Sequence, residues 1–126
     1  MNLTSPRLGS RTRRRAPKAA LGRRPLMTPA QSDQLSELFG ILANDTRLRL
    51  LHALARAGQL CVTDLAEAVG MRAQAVSNQL QRLADRGIVG AARNGNHIYY
   101  RIVDPCVTGL LDQGWCLAED AWDRRR

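Results

Sequence analysis

The stretch that most constrains the fold is 60–83, whose pattern is that of two short amphipathic helices joined at a tight corner. Apolar residues recur on both segments at the spacing of three or four positions that marks one face of a helix. Gly70 lies between the segments, where the chain must turn sharply. The pattern therefore predicts a helix-turn-helix, in which the second helix enters the major groove of DNA. The apolar positions are Leu65, Ala66 and Val69 on the first segment and Val76, Leu80 and Leu83 on the second.

A hairpin motif follows directly in 88–103. Apolar and aromatic residues flank Asn94-Gly95, and Asn-Gly between two β-prone runs is the strongest short hairpin signal. A hairpin placed after a helix-turn-helix predicts a winged helix, with the hairpin tip along the DNA backbone. The expected fold is mainly α with a small β-hairpin.

Polar side chains of the second predicted helix point away from its apolar stripe. Amide and hydroxyl groups can bond base edges, whereas guanidinium groups favour phosphate. On an earlier helix, predicted from Asn44 to about Ala57, Arg47 and Arg49 are within reach of phosphate, or pair with an acid, or stay solvated. The predicted base contacts are Gln74, Ser77, Asn78 and Gln79, and the predicted phosphate contacts are Arg72, Arg82, Arg93 and Asn96.

Two helices are predicted before these motifs. Thr28 is a favourable cap and Pro29 a favourable first helical residue, so a helix should begin there and continue to Ala43. Asn44 should cap a second helix that ends near Gly58.

A last helix is predicted from Asp104-Pro105 onward, and it holds both tryptophans, Trp115 and Trp122. Aromatic residues make up only 4% of the chain, so their concentration here suggests a surface that a partner buries. The obvious partner is a second copy of the chain.

Charge separates the N-terminal segment from the rest. Residues 1–27 contain 8 basic and no acidic residues, whereas 11 basic and 11 acidic residues balance from Thr28 on. We predict that 1–27 is a disordered basic tail and that 28–123 is one domain for DNA binding and dimerisation. The tail either adds phosphate contacts or is an extension without a function. No apolar run is long enough for a membrane span, so no membrane partner is expected.

The sequence resembles the ArsR/SmtB family of metal-responsive repressors. The resemblance covers about 32–120 and rests on LANDTRLRLL at 42–51, LCVTDL at 60–65, AVSNQL at 75–80 and NHIYY at 96–100. It implies a homodimer, joined through the first and last helices, that binds double-stranded operator DNA and represses a resistance or efflux operon. Such a repressor releases DNA when a metal or metalloid binds.

Three cysteines, Cys61, Cys106 and Cys116, are the predicted metal ligands. Their odd number does not suit a closed disulfide framework, so we expect reduced thiols in the cytoplasm. Cys106 and Cys116 are separated by about 15 Å along one helix, so one chain cannot use both for one ion. An antiparallel pair of last helices would instead bring Cys106 of one chain towards Cys116 of the other. Cys61 is then a third sulfur, or it acts at a site of its own.

Two metal sites known in the resembled family are incomplete in this sequence, which narrows the choice of ligands and of ion. Thr63 stands where arsenic, cadmium and lead sensors of the family have the second Cys of Cys-Val-Cys. Asp104 and Cys106 match the Asp-x-His of zinc sensors, but Leu117 and Asp120 stand where His and Glu are expected.

Thiolates select soft ions. We therefore place Hg(II) first, in a repressor similar to the mercury-resistance type, then As(III), with Cd(II), Pb(II) or Zn(II) as further effectors. The alternative is a repressor of the same fold that responds to thiol oxidation or sulfide through Cys61 and Cys106.

Other classes of protein fit less well. A purely structural dimerisation module would not bind DNA specifically. Cys, His and Asp are all present, yet no Gly-rich phosphate loop, nucleophile elbow or Cys-His constellation is visible. We expect neither enzyme activity nor a small-molecule substrate.

Overall fold

A computed structural model describes residues 18–125. The chain divides into two units, one ending at Leu35 and one beginning at Ser36, a boundary that falls inside the first long helix. Each unit is described by itself below. Within 18–125 no helix is both long enough and apolar enough to cross a bilayer.

The described part of the first unit, from Lys18 on, starts with exposed residues that include a short 3-10 helix, Leu21–Arg23. The predicted start of the first long helix at Pro29 is confirmed by reciprocal capping. The Gln31 backbone N–H donates to Thr28 Oγ1 at 3.2 Å, and the Thr28 N–H donates to Gln31 Oε1 at 3.0 Å. The predicted disorder of 1–27 stays a prediction, and residues 1–17 lie outside the described residues.

Regular structure in the described residues consists, apart from the 3-10 helix, of five helices and three strands. The short strand β1 and the hairpin β2–β3 form one antiparallel sheet with the order β1-β3-β2. In chain order the elements are α1 Pro29–Leu42, α2 Asp45–Ala57, β1 Leu60–Cys61, α3 Val62–Val69, α4 Ala73–Asp85, β2 Val89–Asn94, β3 His97–Ile102 and α5 Pro105–Arg125.

The corner of the helix-turn-helix forms as predicted. Gly70 ends α3 in the left-handed conformation, with φ 68° and ψ 38°. The following N–H of Met71 donates to Ala66 O at 3.0 Å, which satisfies a carbonyl at the end of the helix. Leu65, Val76 and Leu80 beside the corner are fully buried.

The predicted hairpin is also present, but its sheet has one more strand than expected. β1 pairs with β3, with Leu60 opposite Tyr100 and Cys61 opposite Tyr99. Cys61 therefore ends a strand and is also the N-cap residue of α3. The two turn residues are Gly95 and Asn96, and Gly95 has φ 65°.

The core of the second unit is built from α2, α3, α4 and the sheet. Leu50, Leu51 and Leu54 of α2 are fully buried. By contrast, Leu48 of α2 is 39% exposed and Phe39 of α1 is 47% exposed. These apolar side chains face a groove rather than the core.

Helix α5 packs on the core only through its first half. Val107, Leu110 and Leu111 are half-buried against the core, whereas Trp115 and Trp122 are 57% and 60% exposed. Trp115 contacts the exposed ring of His52 edge to face, with the ring centroids 5.3 Å apart. The exposed half of α5 is the surface for which a partner was predicted.

Candidate DNA interface and cysteine sites

Six of the eight predicted DNA-contacting residues are exposed, and the other two lie at the edge of the exposed face of α4. Ser77 and Gln79 are half-buried because they sit on the side of α4 nearer to the core. Polar side chains on the outer face of α4 and on the hairpin are therefore accessible to a partner. The exposed residues are Arg72 just before α4, Gln74, Asn78 and Arg82 on α4, and Arg93 and Asn96 on the hairpin.

Two amides on the outer face of α4 bond each other. Gln74 Nε2 donates to Asn78 Oδ1 at 3.1 Å, one helical turn further along. This arrangement aligns two of the predicted base-reading side chains along one line of the helix surface. A base that contacts either amide must therefore bond it alongside this hydrogen bond or displace the hydrogen bond.

Gln79 is held by a residue of another helix. Nε of Arg47, near the start of α2, donates to Gln79 Oε1 at 2.8 Å, and Nη1 donates to Ile41 O at 3.0 Å. The backbone N–H of Arg47 donates to Asn44 Oδ1 at 3.0 Å, the predicted cap of α2. Arg47 thus links the end of α1, the start of α2 and the recognition helix.

Arg49 occupies a similar structural role without contacting α4. Its Nη1 donates to Val69 O, the last residue of α3, at 3.2 Å. The sequence suggested phosphate, an acidic partner or solvent for both arginines, and no local spacing pointed to these bonds. Arg47 and Gln79 are 32 positions apart, so only the fold brings them together.

The wing lies next to the recognition helix in the chain and is anchored at its base. The Val103 N–H donates to Ile88 O at 3.2 Å where the hairpin leaves the core. From there β2 and β3 pair out to Asn94 opposite His97, and both ends of the turn are exposed. Arg93 and Asn96 therefore lie at the tip.

The three cysteines are free thiols in two kinds of surroundings. Cys61 is buried, with 7% of its surface exposed, and lies in β1 opposite Tyr99. Cys106 and Cys116 are exposed on α5. The backbone N–H of Cys106 donates to Asp104 Oδ1 at 2.8 Å, and the Cys116 thiol lies 4.0 Å from Asp120 Oδ2.

Within 18–125 of one chain, no three His, Cys, Asp or Glu side chains come together in a group that could hold a metal ion. The donors on α5 are nevertheless of the right chemistry, because two accessible thiols have carboxylates beside them. A site that uses both thiols needs donors from a second chain.

Comparison with known proteins identifies the family. Residues 44–90 match the model of the bacterial regulatory protein, arsR family. The crystal structure of the AntR antimony-specific transcriptional repressor is 63% identical, covering 87% of this chain and 99% of that one with a TM-score of 0.73. The chain belongs to the ArsR family. Its winged helix-turn-helix is therefore a family fold as well as an observed one.

Two further relatives of this ArsR-family chain are informative. A transcriptional repressor SmtB homolog of Synechocystis is 42% identical over 85 residues, which are 68% of this chain and 64% of that protein. The chain thus spans slightly less than two thirds of that relative. The homodimeric winged helix-turn-helix DNA-binding domain Mb0332 from Mycobacterium bovis is 31% identical, covering 82% of this chain and 95% of that one, with a TM-score of 0.70.

Proposed function

We propose that this chain is a transcriptional repressor that binds operator DNA as a homodimer and releases it when a thiophilic metal or metalloid binds its cysteines. The observation that carries the proposal is the combination of an exposed polar face on α4 with two surface thiols on α5. The relatives described as transcriptional repressors support the same assignment.

The DNA contacts divide by chemistry. The amides of Gln74, Asn78 and Gln79 and the hydroxyl of Ser77 read base edges from the major groove. The exposed guanidinium groups of Arg72, Arg82 and Arg93 neutralise phosphates, with Asn96 at the wing tip bonding the backbone. The first group sets the sequence preference, and the second sets the affinity and its dependence on salt.

The dimer interface is assigned to the exposed faces of α1 and α5. A mostly apolar groove of about 960 Å³ lies between these helices and α2, and its lining includes Phe39, Leu48, His52, Trp115 and Leu117. Burying such a surface is favourable at roughly 25 cal/mol per Å² of apolar area. The homodimeric Mycobacterium bovis domain supports this assembly.

The effector site is assigned to Cys106 and Cys116 from opposite subunits. Both thiols are accessible, and a bound ion would supply a link between the two chains through its bonds to sulfur. Cys61 stays a prediction as a third ligand. Its burial also suits the ordinary role of a small apolar core residue.

Among the candidate effectors, we place Sb(III) and As(III) ahead of Hg(II). The residues alone favoured Hg(II), since two thiolates suffice for it, but the antimony-specific relative supports a trivalent metalloid. Cd(II), Pb(II) and Zn(II) follow, because they need more ligands than these thiols supply. A ligand shifts the DNA-binding equilibrium only by its different affinity for the two states. The ion must therefore bind the DNA-released dimer more tightly.

The test is operator affinity of the reduced protein at fixed salt, titrated with Sb(III), As(III), Hg(II), Cd(II), Pb(II) and Zn(II). We expect one thiophilic ion to release DNA from the native protein but not from Cys106→Ser or Cys116→Ser. Cys61→Ala tests the third ligand, because it should respond normally if Cys61 is structural. Unchanged affinity with every ion, alongside release by an oxidant, would favour the thiol-redox alternative.

Mixing the two serine variants tests whether the site spans two subunits. A mixed dimer has one intact pair if Cys106 of one chain works with Cys116 of the other. It has none if each chain uses its own two thiols. We expect the mixture to regain part of the response, whereas each variant alone remains unresponsive. No recovery in dimers shown to have exchanged subunits would exclude the intersubunit site.

A further inference from the structure

The contact between Arg47 and Gln79 fixes which atom of the carboxamide faces inward. A guanidinium group has only donors, so its Nε–H must meet the oxygen of Gln79 rather than its NH2 group. The separation of 2.8 Å is that of a short, charge-assisted hydrogen bond. Oxygen and nitrogen lie on opposite sides of the carboxamide carbon. The Nε2–H2 group of Gln79 therefore points away from Arg47.

This orientation restricts what Gln79 can read. A glutamine that uses both groups recognises adenine, accepting from N6 and donating to N7. Here Arg47 holds the oxygen on the inward side, and the group left to face a base is a donor. Guanine offers two acceptors in the major groove, N7 and O6, and thymine offers O4. Adenine also offers N7, but beside it stands the donor N6–H2, whose partner would be the oxygen that Arg47 holds; cytosine presents the donor N4–H2.

We propose that Arg47 is a positioning residue for sequence specificity: it holds the Gln79 carboxamide with its oxygen inward, so that Gln79 reads acceptors on guanine or thymine. This inference rests on the proposed function, because it assigns a base class to one residue of the same recognition helix. Arg47 acts through Gln79 and is not itself required to touch DNA.

The surroundings of Arg47 explain why it is suited to this role. Its guanidinium also donates to Ile41 O, and its backbone N–H donates to Oδ1 of the cap residue Asn44. Both ends of the Arg47 side chain are therefore held in place. Arg47 and Gln79 are both half-buried, which limits competition from water. A carboxamide that is oriented before binding loses less freedom on meeting its base.

Arg49 provides a matched control. It lies on the same helix two positions further on, carries the same charge and also bonds across to the helix-turn-helix. Its partner is the carbonyl of Val69 rather than a side chain of α4. Removing the Arg49 guanidinium therefore removes the same charge and one bond to the helix-turn-helix, from a more exposed position, without altering the orientation of Gln79.

The experiment selects bound sequences from a pool of randomised duplex DNA, using full-length native protein and its variants in reduced, metal-free buffer. Gln79→Ala identifies the base position that Gln79 reads, because the preference there should disappear. We expect Arg47→Met to weaken the preference for guanine or thymine at that position by about tenfold, the lower range for one base contact. Preferences at other positions should remain. Arg47→Met should add nothing in the Gln79→Ala background, and Arg49→Met should keep the native preference.

The Gln79→Glu variant is an independent test, because glutamate has the same side-chain shape as glutamine. One carboxylate oxygen keeps the bond to Arg47, and the other now presents an acceptor. The preferred base at this position should change to cytosine or adenine. Because the bond to Arg47 is retained, this variant should fold, and thermal unfolding of each variant checks that it does. If Arg47→Met does not fold, Gln79→Glu decides.

Three results would overturn the inference. In the first, Arg47→Met weakens binding to all sequences equally, as expected for a phosphate contact. In the second, Gln79→Glu keeps the native base. In either of these two cases, the proposed repressor is still supported if the native protein enriches a DNA sequence. In the third, the native protein enriches no sequence, and then the proposed function fails together with the inference.

Discussion

Gly90, near the start of β2, is placed where even a methyl group has no room. A Cβ atom at this position would lie 2.7 Å from Cγ1 of Val103. Carbon atoms prefer roughly 3.5–4.0 Å, so either the backbone of β2 or the side chain of Val103, which directly follows β3, must shift. Overpacking of this kind costs about 1–3 kcal/mol, and the gain from replacing glycine within a strand returns roughly 0.5–1 kcal/mol. We expect Gly90→Ala to lower the free energy of unfolding by about 1–2 kcal/mol.

Urea unfolding monitored by circular dichroism, at one fixed protein concentration, measures this change. Gly109→Ala is the matched control, because no other part of the described chain comes within 4 Å of its new methyl group. It should stabilise α5 by up to about 1 kcal/mol. Val103→Ala removes Cγ1 and should restore most of the loss in the double variant. A Gly90→Ala protein as stable as native, or one that Val103→Ala does not rescue, would refute the steric argument.

Three other substitutions test the cap, the core and the interface. Asn44→Ala removes the acceptor of the Arg47 N–H and should destabilise the protein by about 1 kcal/mol in denaturant unfolding. Leu80→Ala empties a fully buried position of α4 and should cost about 2–5 kcal/mol in the same assay. Trp115→Ala removes an exposed aromatic of α5, so sedimentation should detect weaker self-association while circular dichroism keeps its native shape.

Local signals in the sequence were sufficient for the helices and the hairpin. Thr28 and Asn44 act as caps, and Gly70 takes the left-handed conformation where α3 must end. Each of these features depends on residues within a few positions of one another. Such interactions can be recognised without knowing the rest of the fold.

Features that depend on distant residues could not be predicted in this way. β1 consists of two residues, and only its pairing with β3 makes it a strand. The exposure of Leu48 and Phe39 likewise follows from where α5 lies rather than from the period of their helices. The bond from Arg47 to Gln79 belongs to the same class, since a surface arginine has many acceptable partners.

The position of the thiols along α5 bears on how an effector would reach the recognition helix. Cys106 is next to Val107, which packs against the core cluster that contains Leu80 and Leu83 of α4. Cys116 instead follows Trp115 on the exposed half of the helix. Under the proposed function, a link between these thiols joins the packed half of one α5 to the exposed half of the other. Any change in the angle between the two subunits is then transmitted to α4 through side-chain packing, because Val107 lies directly against that cluster.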